Sequence, residues 1–215
     1  MRTIIVLLAL VSTIVFADPN FKEGQQYQRV PATILQHAVV QDLIKEGKDK
    51  VLVLEFFSYG CHWCFKLDPY VETLRKKFPP YVEFQRVPVE FQPSWRTLTK
   101  AYYTQLDLKA QDKVHTSLFT AIHTNRFNDA SDENLKMFFV ARGISPEDFT
   151  KTYTSFDVAR KQKWAVTLSK TFQIMAVPTF VVIGPKGAFQ TTMSMAGNET
   201  MLANVVNYLV QMEKS

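Results

Sequence analysis

The sequence predicts an α/β fold: a strand–helix–strand unit, a block of helices, then a long helix, a β-hairpin and a closing helix. Three observations predict it. Residues 51–57, Val-Leu-Val-Leu-Glu-Phe-Phe, form a nearly unbroken apolar run rich in β-branched and aromatic side chains, the pattern of a strand covered on both faces. Residues 93–155 turn to helical spacing, with Val114, Leu118, Phe119 and Ile122 on one stripe. Residues 179–183 and 188–192 are short β-rich runs flanking Gly184-Pro185-Lys186-Gly187, which reads as a hairpin.

The elements follow in chain order. Arg2, an apolar run over residues 4–16 and a Val15-Phe16-Ala17 site have the form of a secretory signal peptide cleaved after Ala17, so that the mature chain begins at Asp18. The run is shorter than the roughly 20 apolar residues a spanning helix needs, so no stable membrane insertion is expected. No cysteine would lie at the new N-terminus, which argues against a lipoprotein anchor. Residues 18–31 are polar and expected to be irregular at first. After the strand at 51–57, Ser58-Tyr59-Gly60 makes a turn, and a helix is expected from Cys64 to about residue 77, kinked by Pro69. Residues 81–89 alternate apolar and polar side chains as a second strand, with Pro88 at its end or on an edge. In the helical block, Ser131 precedes the apolar run 135–140 and Gly143 sits where a C-cap is wanted. Ser145-Pro146-Glu147-Asp148 supplies a capping serine, proline at the first helical position and an acid three residues after the cap. A longer helix is expected over 157–172 and an amphipathic one over 199–212.

Composition narrows the function. Hydrophobic residues make up 47% of the chain and 17 are Phe, enough for a core that does not depend on a disulfide. Without residues 1–17, 24 basic residues face 20 acidic ones, a net charge of +4. The charges are interspersed, and the densest basic stretch is only Arg160-Lys161-Gln162-Lys163, so no nucleic-acid footprint is present.

The chain has two cysteines, Cys61 and Cys64. Export leads to an oxidising compartment, but a structural bridge stabilises most when it closes a long loop, and this pair would close a very short one. The pair is better placed for chemistry. At the start of a helix, unpaired N–H groups and the helix dipole favour an anion, so the Cys61 thiol should become more acidic. Cys61 is then the exposed nucleophile, and Cys64, one turn on, resolves the mixed disulfide. The same helix end stabilises the dithiol form and makes the disulfide more oxidising. His62 adds positive charge near the thiolate and Trp63 shields it or contacts substrate, unless both are solvent-facing spacers. Glu55, the lone charge in a buried strand, is either a proton acceptor for Cys64 or a strand-end carboxylate reaching water. Ala176-Val177-Pro178-Thr179 holds an ordinary loop proline or, if Pro178 is cis, leaves the Val177 backbone free to pair with an extended substrate. Zinc is not expected: Cys-x-x-Cys is half a structural set, no second pair exists, and His115 and His123 have the wrong spacing. No metal or separate cofactor is predicted beyond a redox-active Cys61–Cys64 disulfide.

"VLEFFSYGCHWC" (residues 53–64), Pro69, "VPTF" (177–180), "FKEGQQYQRV" (21–30) and the intervening helical block together resemble the DsbA family of exported thiol-disulfide oxidoreductases, within the thioredoxin superfamily. The resemblance covers nearly all of the mature chain. It implies a thioredoxin-like fold with an inserted α-helical domain: 1–17 signal peptide, 18–92 and 156–215 thioredoxin-like domain, 93–155 inserted helical domain. It also implies that Cys61 faces a cis-proline loop at Val177 and Pro178, that Glu55 is the family's buried acid, that unfolded or newly exported proteins are the substrates, and that a DsbB-type membrane oxidase reoxidises the protein in the periplasm. The family's Cys-Pro-His-Cys is here Cys61-His62-Trp63-Cys64, a change in the dipeptide that tunes the redox potential. Dithiol oxidase is therefore the first expectation, reductase or isomerase the second, and a redox-independent chaperone-like peptide binder the alternative of another class.

Overall fold

The computed structural model describes residues 21–124, 127 and 129–214. The signal-peptide expectation for residues 1–17 lies outside them. Strand β1 (Gln28–Arg29) is followed by two short helices, α1 (Ala32–Leu35) and α2 (Ala38–Gly47), and then by strand β2 (Val51–Phe57). Helix α3 (His62–Lys77) leads to β3 (Val82–Pro88). A 3-10 turn at Pro93–Trp95 opens the helical block α4 (Arg96–Asp107), α5 (Gln111–His123), α6 (Asp132–Val140) and α7 (Pro146–Tyr153). The long helix α8 (Phe156–Thr171), the hairpin β4 (Thr179–Gly184) and β5 (Gly187–Thr192), the single turn α9 (Met193–Ala196) and α10 (Glu199–Glu213) complete the chain.

The strands form one sheet in the order β1-β5-β4-β2-β3, parallel only between β2 and β3. All seven residues of β2 are buried because it is central and covered on both faces. Alternation along the strand splits its side chains between two cores. Leu52, Leu54 and Phe56 face the core built by α2, α4, α5 and α8, whereas Val51 and Val53 face the one built by α3 and α10. Glu55 shares the parity of Val51 and Val53 and pairs in register with Arg86 of β3. β3 lies at the sheet edge and ends on Pro88, where a missing N–H costs no ladder bond.

Two expectations need correction. The described part of the 18–31 stretch, residues 21–31, is not simply irregular: β1 pairs antiparallel with β5, and Phe21, Tyr27 and Val30 are buried. The two residues of β1, Gln and Arg, are exposed and polar, so no apolar alternation marks the strand. Helix α3 begins at His62, two residues before the predicted start, because the Cys61 side chain itself caps it. It continues through Pro69, its eighth residue, whose missing N–H forgoes one intrahelical hydrogen bond. The capping serines Ser131 and Ser145 accept from the Asn134 and Asp148 N–H groups, and Gly143 adopts φ +82 beyond α6, as the sequence suggests.

Candidate active site

The site sits where β2 passes into α3. Ser58, Tyr59 and Gly60 turn the chain: the Cys61 N–H donates to the Ser58 carbonyl at 3.0 Å and the Gly60 N–H to Ser58 Oγ at 3.1 Å. Cys61, at φ −91 and ψ 117, is the N-cap, and its sulfur accepts from the Cys64 N–H at 3.2 Å. A sulfur in this position meets the unpaired amides and positive dipole end of a four-turn helix. Both cysteines are free thiols. The Cys61 thiol is more acidic than an ordinary cysteine, chiefly because the Cys64 side chain donates to its anion, with backbone donors at Cys64 and Trp63 adding to this against the cost of burial. Cys64 is driven the other way, first by burial and then by the adjacent Cys61 sulfur. The two thiols thus differ in acidity although only two residues separate them.

Cys61 is less open than the sequence suggests. It is 8% exposed, and Cys64 is wholly buried. The cause is the loop before β4: the Val177–Pro178 peptide bond is cis, and the Cys61 thiol donates to the Val177 carbonyl at 3.4 Å. Trp63 is 51% exposed with the Lys66 ammonium 4.9 Å from its ring. His62 is exposed, its ring 5.7 Å from that of His123. Trp63, Val177, Pro178, Met193 and Asn198 line a cavity of about 410 Å³ beside the sulfur. The sequence-predicted residues Cys61, Cys64, Trp63, Val177 and Pro178 are therefore brought together, with His62 at the outer rim.

Glu55 lies beneath, inside the protein, and does not reach water. Its carboxylate accepts from Arg86 Nε at 2.7 Å, and it bonds to Arg86 rather than to either thiol. Arg86 also donates to Asp68 at 3.0 Å and to Glu72 at 2.9 Å. One cation is shared by three carboxylates, and they fare differently. Burial pushes Glu55 up to about 7 despite Arg86, with Asp68 adding repulsion. Glu72 is nearer solvent; hydrogen bonds from Arg75 and Arg86 overcome its burial and hold it at about 2. Arg86 stays charged, because the attraction of Glu55 and Asp68 outweighs its own burial. The direct pair with Arg86 does not fully compensate the burial of Glu55. The negative charge of Glu55 raises both thiols.

The sequence reading missed Arg86, Asp68, Tyr59 and the roles of both α5 histidines. Arg86 carries a signal in retrospect, a lone cation in a strand register-paired with a lone acid. Asp68, Glu72 and His115 bring three possible metal-ligand atoms together, but the Arg86 guanidinium already fills the space between the carboxylates. His115 Nε2 bonds Asp68 at 3.0 Å instead, and Thr116 donates to the other Asp68 oxygen.

Residues 52–205 match the model of the DSBA-like thioredoxin domain family. The thiol:disulfide interchange protein DsbA of Azotobacter vinelandii is 30% identical over 224 residues, covering 100% of this chain and 99% of the relative. DsbA of Pseudomonas aeruginosa is 29% identical over 166 residues, 77% of each chain. A crystal structure of a Pseudomonas aeruginosa DsbA variant gives a TM-score of 0.77 at 26% identity, covering 91% of this chain and 99% of the other. The fold is thus thioredoxin-like, with α4 to α7 inserted along the chain between β3 and the α8–β4 segment.

Proposed function

We propose, from the premise that the chain belongs to the DSBA-like thioredoxin family and is a thiol:disulfide oxidoreductase, that it is a periplasmic dithiol oxidase that introduces disulfides into newly exported proteins. The observation that carries this reading is the divided acidity of the pair: an acidic Cys61 sulfur capping α3 and a buried, reluctant Cys64. In the oxidised protein, a substrate thiolate attacks Cys61 Sγ. The Cys61–Cys64 bond breaks, its electron pair leaves on Cys64, and a mixed disulfide joins substrate to Cys61. A second substrate thiolate attacks the substrate sulfur of that bond, and Cys61 departs as the stabilised thiolate. The substrate loses two electrons to form its disulfide; the protein gains them as the dithiol. A DsbB-type membrane oxidase would take those electrons back.

Glu55 is the proposed proton acceptor and donor for Cys64, because a carboxyl ionising at about 7 changes charge at working pH. The Val177 carbonyl and Pro178 are proposed to receive the substrate backbone, with Trp63 as an apolar wall of the adjoining cavity. His62 is proposed to add positive potential at the rim. Export is supported by the composition of residues 1–17, and no helix among the described residues is long and apolar enough to cross a membrane.

Acid-quenching cells and alkylating the free thiols tests the direction of electron flow. An oxidase is recovered mostly as the disulfide. Recovery mostly as the dithiol would replace this reading by a reductase or isomerase on the same scaffold. A Cys61→Ala, Cys64→Ala double variant with full biological activity would instead leave a redox-independent peptide binder.

A further inference from the structure

Helix α5 grips the loop that carries Cys61 at two points, both on Tyr59. His115 Nδ1 lies 2.6 Å from the Tyr59 hydroxyl, and His123 Nε2 lies 2.8 Å from the Tyr59 carbonyl. A carbonyl only accepts, so His123 carries a hydrogen on Nε2. The Tyr59 carbonyl stands outside the hydrogen bonds of the Ser58–Cys61 turn, in a residue only 1% exposed. A main-chain acceptor enclosed in this way needs a partner, and His123 supplies it. The imidazole is itself fixed: it stacks on Phe65 of α3 with centroids 4.8 Å apart and planes 7° from parallel. One side chain at the end of α5 thus holds both the loop before the thiol and the first turn after it.

We propose that His123 is a positioning residue for the Cys61 thiolate, its Nε2–H holding the Tyr59 carbonyl and, through it, the turn that keeps the Cys61 sulfur at the cap of α3. The proposal rests on the reading of Cys61–Cys64 as the redox pair. The effect is unequal between redox states. The dithiol needs the sulfur against the Cys64 N–H, 3.2 Å away, to stabilise its charge, whereas a disulfide sulfur carries none. Loosening the turn therefore weakens the reduced form selectively.

The test equilibrates wild type, His123→Phe and His123→Gln with glutathione buffers and follows Cys61 ionisation by thiolate absorbance. Phe keeps the stack on Phe65 and loses the donor; Gln restores an N–H at similar reach. The expected result is a higher Cys61 pKa and a reduced form about fivefold less favoured in His123→Phe, the equivalent of one ordinary hydrogen bond, with His123→Gln within about twofold of wild type. His123→Phe matching wild type in both readouts, or His123→Gln shifting as far as His123→Phe, would overturn the proposal. If His123→Phe does not fold, nitrogen NMR of the wild-type imidazole decides: the Nε2–H tautomer is required, and the Nδ1–H tautomer overturns it. Wild type that never exchanges with glutathione would overturn the redox reading and this proposal together, whereas exchange without an effect of His123 overturns this proposal alone.

Discussion

Glu55 is the residue whose cost is most visible. It is 2% exposed, holds one arm of a guanidinium shared with two other acids, and ionises at about 7 against an ordinary value of 4.5. The folded state therefore binds a proton that the unfolded chain has released between those values, and stability falls as pH rises through that window. Glu72 works in the opposite sense: held at about 2, it contributes above its ordinary 4.5, and that contribution is lost as pH drops toward 2. Glu55→Gln removes the first effect and keeps the second. Relative to wild type, the variant should gain about 2–3 kcal/mol in urea unfolding between about pH 5 and pH 8. A difference that does not vary with pH would mean that Arg86 neutralises Glu55 fully. The same substitution should lower the apparent pKa of both thiols, since the Glu55 charge raises each.

Among the elements, the turn between β2 and α3 has the least room. A Cβ added at Gly60 would lie 2.3 Å from Trp95 Nε1 and 2.8 Å from its Cδ1, and the half-buried Trp95 is itself stacked on Phe91. Gly60→Ala should cost about 1–3 kcal/mol in thermal unfolding, the usual range for overpacking, and slow disulfide exchange because the displaced loop carries Cys61. In a Trp95→Ala background the cost should largely vanish; additive losses would place the strain elsewhere. This contact was not legible in the sequence, since Gly60 reads only as a turn glycine and Trp95 lies 35 positions away in a different element. Legibility followed locality. Val51–Phe57, the Ser145 cap and the hairpin are written in adjacent residues, and so is the acidity expected of a cysteine at a helix start. β1 was hidden because two exposed polar residues carry no period, and the Arg86 cluster because β3 supplies the cation to acids on β2 and α3. Tyr59 and His123 look unrelated until α5 folds over the loop.

At the scale of the whole molecule, redox state and stability are linked. The cap of α3 stabilises a Cys61 anion that exists only in the dithiol, and each unit by which that thiol is made more acidic corresponds to about 1.4 kcal/mol. The advantage of the reduced protein over the oxidised one in urea should therefore be fullest above the ordinary cysteine value of 9.0, and should fade as pH falls through the lowered Cys61 pKa and the anion takes up a proton. An oxidised form that is the more stable at every pH would remove the thermodynamic basis for donating the disulfide. The fold brings the two ends of this chemistry together from positions 116 residues apart, where the sulfur of Cys61 touches the carbonyl of Val177. That oxygen attracts a sulfur still bearing hydrogen and repels one that has shed it. Loss of the proton in the dithiol thus frees the carbonyl, which the docking role proposed for Val177 would offer to the amide of the partner that reoxidises the pair. On that proposal deprotonation and docking are interlocked through a single atom, and a partner that seated itself there would also help to keep the sulfur bare.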